Sequence, residues 1–264
     1  MEPYDGSVES PGYLRFPHIS GDLVVFIAAD DVWLAPVAGG RAWRFTTDEA
    51  QAATPRLSPD GTHVAWVSAR DGSPEIYAAS LTDGTSTRLT YWGTPWAQVS
   101  GWTPAGEVLA VTAANQPFPH YVRARVLTTV LSGSPGAERV LPFGPVSDLS
   151  LGTDGGGTSG DAGDPGAGVV GLLTGTWGVF GDDPAHWKRY RGGTAGRLWT
   201  GPATAIVSEG PDAPERVPGP FRRVLADLPT QFASPMIAGG RLAFISDHEG
   251  TGNIYSCADR KSVV

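Results

Sequence analysis

Pro55-Arg56-Leu57-Ser58-Pro59-Asp60-Gly61 runs into His63-Val64-Ala65-Trp66-Val67-Ser68, turns at Arg70-Asp71-Gly72 and continues as Glu75-Ile76-Tyr77-Ala78-Ala79. Pro-Asp-Gly and Asp-Gly supply the fixed and positive backbone angles of tight hairpins, and the β-branched and aromatic residues between them suit pleated faces. A short fourth segment, Thr87-Arg88-Leu89-Thr90, closes the unit. Four strands separated by such turns make a propeller blade.

The same grammar recurs on both sides. Upstream stand Phe16-Pro17-His18-Ile19-Ser20-Gly21-Asp22, Leu23-Val24-Val25-Phe26-Ile27, Asp30-Asp31-Val32-Trp33-Leu34 and Arg41-Ala42-Trp43-Arg44-Phe45-Thr46, with Ser20 38 residues before Ser58. Downstream, Val99-Ser100-Gly101-Trp102-Thr103 and Glu107-Val108-Leu109-Ala110-Val111-Thr112 open a third copy, Thr103 lying 45 residues after Ser58. A fourth begins near Pro145-Val146-Ser147-Asp148 and resumes at Val169-Val170-Gly171-Leu172-Leu173-Thr174, and a fifth runs from Ser234-Pro235-Met236 to Asn253-Ile254-Tyr255-Ser256. Periods of this size mark a repeat architecture in which each sheet buries its faces against its neighbours. The expected fold is all-β: a β-propeller of four-stranded blades near residues 16–46, 55–90, 98–141, 145–229 and 234–257, five openings that leave the ring unfinished. Residues 1–11 are an expected N-terminal tail and 258–264 a non-matching tail. Leu151 to Gly168, with eight glycines and three aspartates, reads as a flexible insertion in the fourth blade.

Composition narrows the function. The chain of 264 residues holds 36 glycines and 23 prolines, which favours short strands and turns over long helices. Its formal net charge is -8 and only Lys188 and Lys261 are lysines, so no basic stripe exists to follow a phosphate backbone and no nucleic-acid partner is expected. The lone Cys257 excludes an internal disulfide and a thiolate zinc site. Without a charged-then-apolar leader or a long apolar run, the expectation is a cytoplasmic protein that engages no membrane.

Sequence motifs for chemistry are sparse. Gly155-Gly156-Gly157-Thr158-Ser159-Gly160 matches a dinucleotide-binding glycine pattern but no helix-forming segment follows it. Asp154, Asp161 and Asp164 lack the spacing of a calcium loop. No G-x-S-x-G elbow occurs, and the five histidines are read as structural. Asp247-His248-Glu249 reads as a solvated hairpin turn. No catalytic, cofactor-binding or metal-binding residue is assigned. Trp33, Trp66, Trp102 and Trp199 fall in strands that would pack between blades, whereas Trp92 and Trp96 sit in a loop suited either to binding or to packing.

Three stretches carry a resemblance: Gly12-Tyr13-Leu14-Arg15-Phe16-Pro17-His18-Ile19-Ser20-Gly21-Asp22, Asp30-Asp31-Val32-Trp33, and His186-Trp187-Lys188-Arg189-Tyr190-Arg191-Gly192-Gly193-Thr194-Ala195-Gly196-Arg197-Leu198-Trp199. They resemble the N-terminal six-bladed propeller of tricorn proteases, and the scarcity of lysine beside abundant Ala, Gly and Arg suits an actinobacterial relative. The resemblance implies a cytoplasmic serine-type peptidase acting on oligopeptides as a homo-hexamer, and a β-propeller of which about five of six blades are present here, truncated at the C-terminal end. Its catalytic core lies beyond residue 264 and its propeller is a peptide channel and scaffold. Arg123 and Arg125 are the candidates for channel contact with peptide carboxylates, with a surface salt bridge as their alternative reading. Two other functions stay open: an independent TolB-like propeller acting as a protein-binding module, and an enzyme with its site in the propeller channel.

Overall fold

A computed structural model describes residues 13–118, 121–152, 169–175, 191–193, 195–203, 206, 221–238 and 240–258. The Gly155–Gly160 pattern, Asp154, Asp161, Asp164, His120 and His186 lie outside these residues, as do residues 1–11 and 259–264 of the two tails, whereas Ala258, placed from sequence in the second tail, ends the last strand of the fifth blade.

The described residues are all-β, arranged as five antiparallel sheets whose strands follow one another in sequence order. The first sheet holds β1 (Arg15–Ser20), β2 (Leu23–Ala28), β3 (Asp31–Pro36) and β4 (Trp43–Arg44). The second holds β5 (Ala52–Leu57), β6 (His63–Ser68), β7 (Glu75–Ser80) and β8 (Ser86–Arg88). The third holds β9 (Ala97–Trp102), β10 (Val108–Thr112), β11 (Arg123–Leu127) and β12 (Glu138–Val140). The fourth holds β13 (Asp148–Gly152), β14 (Val169–Thr174), β15 (Arg197–Pro202) and β16 (Arg222–Arg223). The fifth holds β17 (Phe232–Ala238), β18 (Arg241–Ser246) and β19 (Asn253–Ala258). These are the five blades expected from the repeats. One boundary differs: Leu151 and Gly152, read from sequence as the start of the insertion, pair with Val170 and Val169 as the end of β13. Gly152 is needed there because a Cβ would meet Ile237 Cγ2 of the fifth blade at 2.0 Å.

The first strands of successive blades, β1, β5, β9, β13 and β17, pack side by side and form the axial edge of the propeller. Four apolar cores fill the seams between successive blades. The first is built on Val25, Ile27, Trp66 and Tyr77, the two rings stacked 6.0 Å apart with Phe45 edge-on to Trp66. Trp92 and Trp96 resolve toward packing: Trp92 lies against the seam of blades two and three, Trp96 against that of blades three and four.

Blades one, two and three also carry polar pins at their outer ends. In blade one the buried Asp31 accepts hydrogen bonds from Thr46 Oγ1 (2.7 Å) and Arg44 Nε (2.9 Å), while Val32 N donates to Thr46 Oγ1. Blade two repeats the pattern with the buried Glu75, which accepts from Thr90 Oγ1 (2.5 Å), Trp92 N (3.0 Å) and Gly93 N (2.9 Å) and pairs with Arg88 at 3.4 Å. Blade three reverses the charges, with buried Arg125 on β11 pairing with Glu138 on β12. Asp247 of the fifth blade is likewise buried, accepting from Thr230 Oγ1 (2.8 Å) and paired with Arg191 (3.1 Å). Asp247 is therefore not solvated as the sequence suggests, because neighbouring donors compensate the charge removed from water, whereas Glu249 of the same turn is exposed.

Candidate functional site

The axial edge owes its shape to one device used three times. β1, β5 and β17 are each bulged, with register shifts between Arg15 and His18, between Ala53 and Arg56, and between Ala233 and Met236. The residue before a proline sits at each bulge with positive φ: Phe16 (53°), Thr54 (45°) and Ser234 (49°). A side chain in this region costs about 1–3 kcal/mol, and the preference of pre-proline residues for extended backbone opposes it further. The bulge re-aims the residue after each proline. Those residues are His18, Arg56 and Met236.

Side chains on the inner strands also tie blade to blade. Leu57 N donates to His18 Nδ1 (3.2 Å), Val99 N to Thr54 Oγ1 (3.0 Å) and Ile237 N to Ser150 Oγ (2.9 Å). Gln98 Nε2 (2.7 Å) and Ser100 Oγ (3.0 Å), both on β9, donate to Asp148 Oδ1 on β13, which also accepts from Leu149 N (2.8 Å). The outcome is a polar collar of His18, Arg56, Gln98, Ser100 and Asp148 drawn from four blades.

Its charges are perturbed. Burial, and then the nearby Arg56 guanidinium, lower the His18 pKa to about 4, so its imidazole is neutral near pH 7. With Nδ1 accepting a backbone N–H, the ring proton resides on Nε2. Burial raises the Asp148 carboxyl to about 6, against the opposing pull of Arg56 and of its three donors. Burial lowers the Arg56 pKa while Asp148 raises it, and the guanidinium stays charged. Arg56 and Asp148 belong to blades two and four, whose inner strands flank β9 of blade three.

Arg123 and Arg125 lie elsewhere. Both are on β11, the third strand outward of blade three. Arg123 donates to Phe143 O, and Arg125, 1% exposed, bonds Glu138 and Ala114 O beneath the Trp92 ring. Both are fixed in blade packing, and the positive charge at the axis is Arg56. The repeated X-Pro-His/Arg/Met opening was the sequence signal for it. Among the described residues, no group of three or more His, Cys, Asp or Glu is placed to hold a metal, and no helix is long and apolar enough to cross a membrane.

A second polar concavity, of about 210 Å³, lies at the junction of blades four and five and includes Arg191, Arg197, Arg223 and Asp227. Arg191 is already committed to Asp247, and Arg197 and Arg223 are exposed.

Comparison with known proteins identifies this architecture. Residues 11–264 match the family model of the tricorn protease N-terminal beta propeller domain, a match that includes the tail residues 258–264 set apart on sequence grounds. Tricorn protease homolog 1 of Streptomyces coelicolor is 43% identical over 247 residues, covering 94% of this chain and 20% of that protein. A putative tricorn-like protease N-terminal subunit of Sulfurisphaera tokodaii is 30% identical, covering 71% of this chain and 85% of that protein. The crystal structure of the tricorn protease superposes with a TM-score of 0.70 at 25% identity, over 96% of this chain and 22% of that one. The chain therefore spans about a fifth of the length of the Streptomyces relative.

Proposed function

The chain belongs to the tricorn protease N-terminal β-propeller family, and from that premise we propose that it is the non-catalytic propeller part of a serine-type peptidase that degrades oligopeptides. In this reading it scaffolds the parent and carries peptides along the axial edge. The observation that carries the reading is the polar collar on the inner strands, set in a propeller whose seams are apolar. Peptides present amide and terminal charges, and a lining of neutral imidazole, amide, hydroxyl and two opposed charges offers them exchangeable hydrogen bonds without a deep apolar trap. A cytoplasmic, homo-hexameric parent completes the proposal, supported by the family alone.

The test uses an oligopeptide bearing a photo-reactive cross-linker. Labelling of the inner strands β1, β5, β9 and β13, competed by unlabelled peptide, is expected, together with no hydrolysis by the purified chain. Labelling confined to outer strands, or turnover abolished by mutating one of its own serines, overturns the proposal. Light scattering of the full-length Streptomyces relative tests the hexamer.

A further inference from the structure

Two firmly held segments wall the concavity of about 210 Å³ at the junction of blades four and five. The loop entering β15 supplies Arg191, whose Nη1 lies 3.1 Å from the buried Asp247 Oδ1, and Gly196, whose N–H donates to Gln231 Oε1 at 3.1 Å. Gly196 admits no side chain, since a Cβ would meet Phe232 O at 2.1 Å. The linker from β16 to β17 supplies Asp227 from a tight turn in which Leu225 holds a φ of 51° and Leu228 N donates to Leu225 O at 3.1 Å. Left-handed backbone at a residue other than glycine is uncommon and gathers at ligand sites. Arg197 and Arg223 complete the charged lining. Arg223 pairs with Trp199 across the β15–β16 ladder and Arg197 stands two residues before Trp199, so both guanidinium groups leave the same face of the hairpin as diagonal neighbours. Among the described arginines, only Arg41, Arg197 and Arg223 make no hydrogen bond or ion pair with a described residue, and the last two share this one hollow. Asp227 is likewise exposed and unpaired among the described residues. With Arg191 answered by Asp247, the hollow keeps an excess of positive charge in a chain whose net charge is -8.

We propose that this hollow is a binding site for inorganic phosphate. Arg197 and Arg223 present guanidinium forks that match phosphate oxygens in both charge and geometry. Ionised Asp227 offers only acceptors, so it repels a fully deprotonated oxyanion and accepts a hydrogen bond from one that keeps a P–OH. Inorganic phosphate keeps that hydroxyl at neutral pH and sulfate has none, while a phosphomonoester, whose second ionisation falls at about pH 6, has largely lost it. The three side chains therefore select by proton as well as by charge. The site lies on the third and fourth strands of blade four and on the linker to blade five, away from the inner strands that the peptide-passage reading uses, and it stands without that reading. A bound ion joins the outer hairpin of blade four to the segment that begins blade five, so occupancy favours the docked arrangement of the two blades.

Calorimetric titration of the full chain at pH 7.5 and constant ionic strength with sodium phosphate, sodium sulfate and methyl phosphate provides the test. Saturable binding of phosphate is expected, about tenfold tighter than that of sulfate or methyl phosphate. Arg197→Gln and Arg223→Gln should each weaken phosphate about tenfold, whereas Arg41→Gln, which removes the third unpaired arginine at a place outside the hollow, should leave it unchanged. Asp227→Asn, which gains a donor, should bring sulfate close to phosphate and so erase the discrimination by the proton. These side chains are exposed and bond to no described residue, so the variants should fold as the parent does, which circular dichroism checks. If either glutamine variant does not fold, the corresponding lysine variant, which keeps the charge without the fork, should bind phosphate more weakly than the parent. Equal affinity for phosphate and sulfate in the parent, tighter binding of methyl phosphate, phosphate binding unchanged in the Arg197 and Arg223 variants, or no saturable binding overturns the site.

Discussion

The outer pin of blade two and the axial collar both place a carboxylate and a guanidinium in partly dry surroundings, and they treat them in opposite ways. At the pin, Glu75 meets Arg88, Thr90 Oγ1 and two backbone N–H groups, so both carboxylate oxygens are engaged. At the collar, Asp148 has one oxygen crowded by three donors and the other without a hydrogen bond among the described residues, and no ion pair joins it to Arg56. Charge that is fully answered by its own chain holds the chain together. Charge that is half answered is available to something else, and its desolvation cost stands as a debit against stability.

Removing Glu75 is the strongest way to break this comparison. Glu75→Ala leaves two buried N–H groups, Thr90 and Arg88 without their acceptor, and should lower unfolding free energy by about 3–5 kcal/mol in urea melts. A loss under 1 kcal/mol would mean the pin is not structural. Thr90→Val removes the hydroxyl that bridges Ile76 N and Glu75, and a loss of about 1–3 kcal/mol is expected by the same measurement.

The collar sharpens the comparison through pH. A carboxyl raised from 3.8 to about 6 holds its proton more tightly when folded, so the Asp148 contribution to stability falls as pH rises from about 4 to about 6. An imidazole lowered from 6.5 to about 4 resists protonation when folded, so the His18 contribution rises over pH 4 to 6.5. Each effect is on the order of 2 kcal/mol after allowing for partial exposure, and the two oppose one another. Asp148→Asn should therefore expose a stability that climbs with pH, and His18→Asn one that declines. Unfolding curves at pH 4.5, 5.5 and 6.5 check this, and parallel profiles for both variants and the parent would remove the charge assignment.

The smallest effect belongs to the exposed pair of Arg15 and Asp30, 2.6 Å apart: Asp30→Asn should change stability by less than about 1 kcal/mol, and less still in high salt.

The blades were legible in the sequence because a hairpin turn is a local event, decided by Asp60-Gly61 or Asp71-Gly72 within a few residues of itself. The collar was not, because which strand lies nearest the axis is decided by how whole sheets stack. Arg123 and Arg125 drew attention as adjacent cations, but their strand is third from the axis and their charge is consumed locally. Arg56 reads locally as part of a blade opening, and only the X-Pro repeat it shares with His18 and Met236 marks it as axial. Asp148 was harder still: its importance comes from Gln98 and Ser100, 50 and 48 residues earlier. Buried Asp247 was misjudged for the same reason, its partner Arg191 lying 56 residues away.

Three ties along the inner strands run one way, the N–H of the later blade reaching back to a side chain of the earlier one: Leu57 to His18, Val99 to Thr54, Ile237 to Ser150. A polypeptide leaving the ribosome presents each acceptor before the donor that needs it. Blades two, three and five thus find an acceptor already made, whereas blade four brings the acceptor Asp148 to donors already standing on β9, so each of these inner strands docks on polar groups synthesised before it.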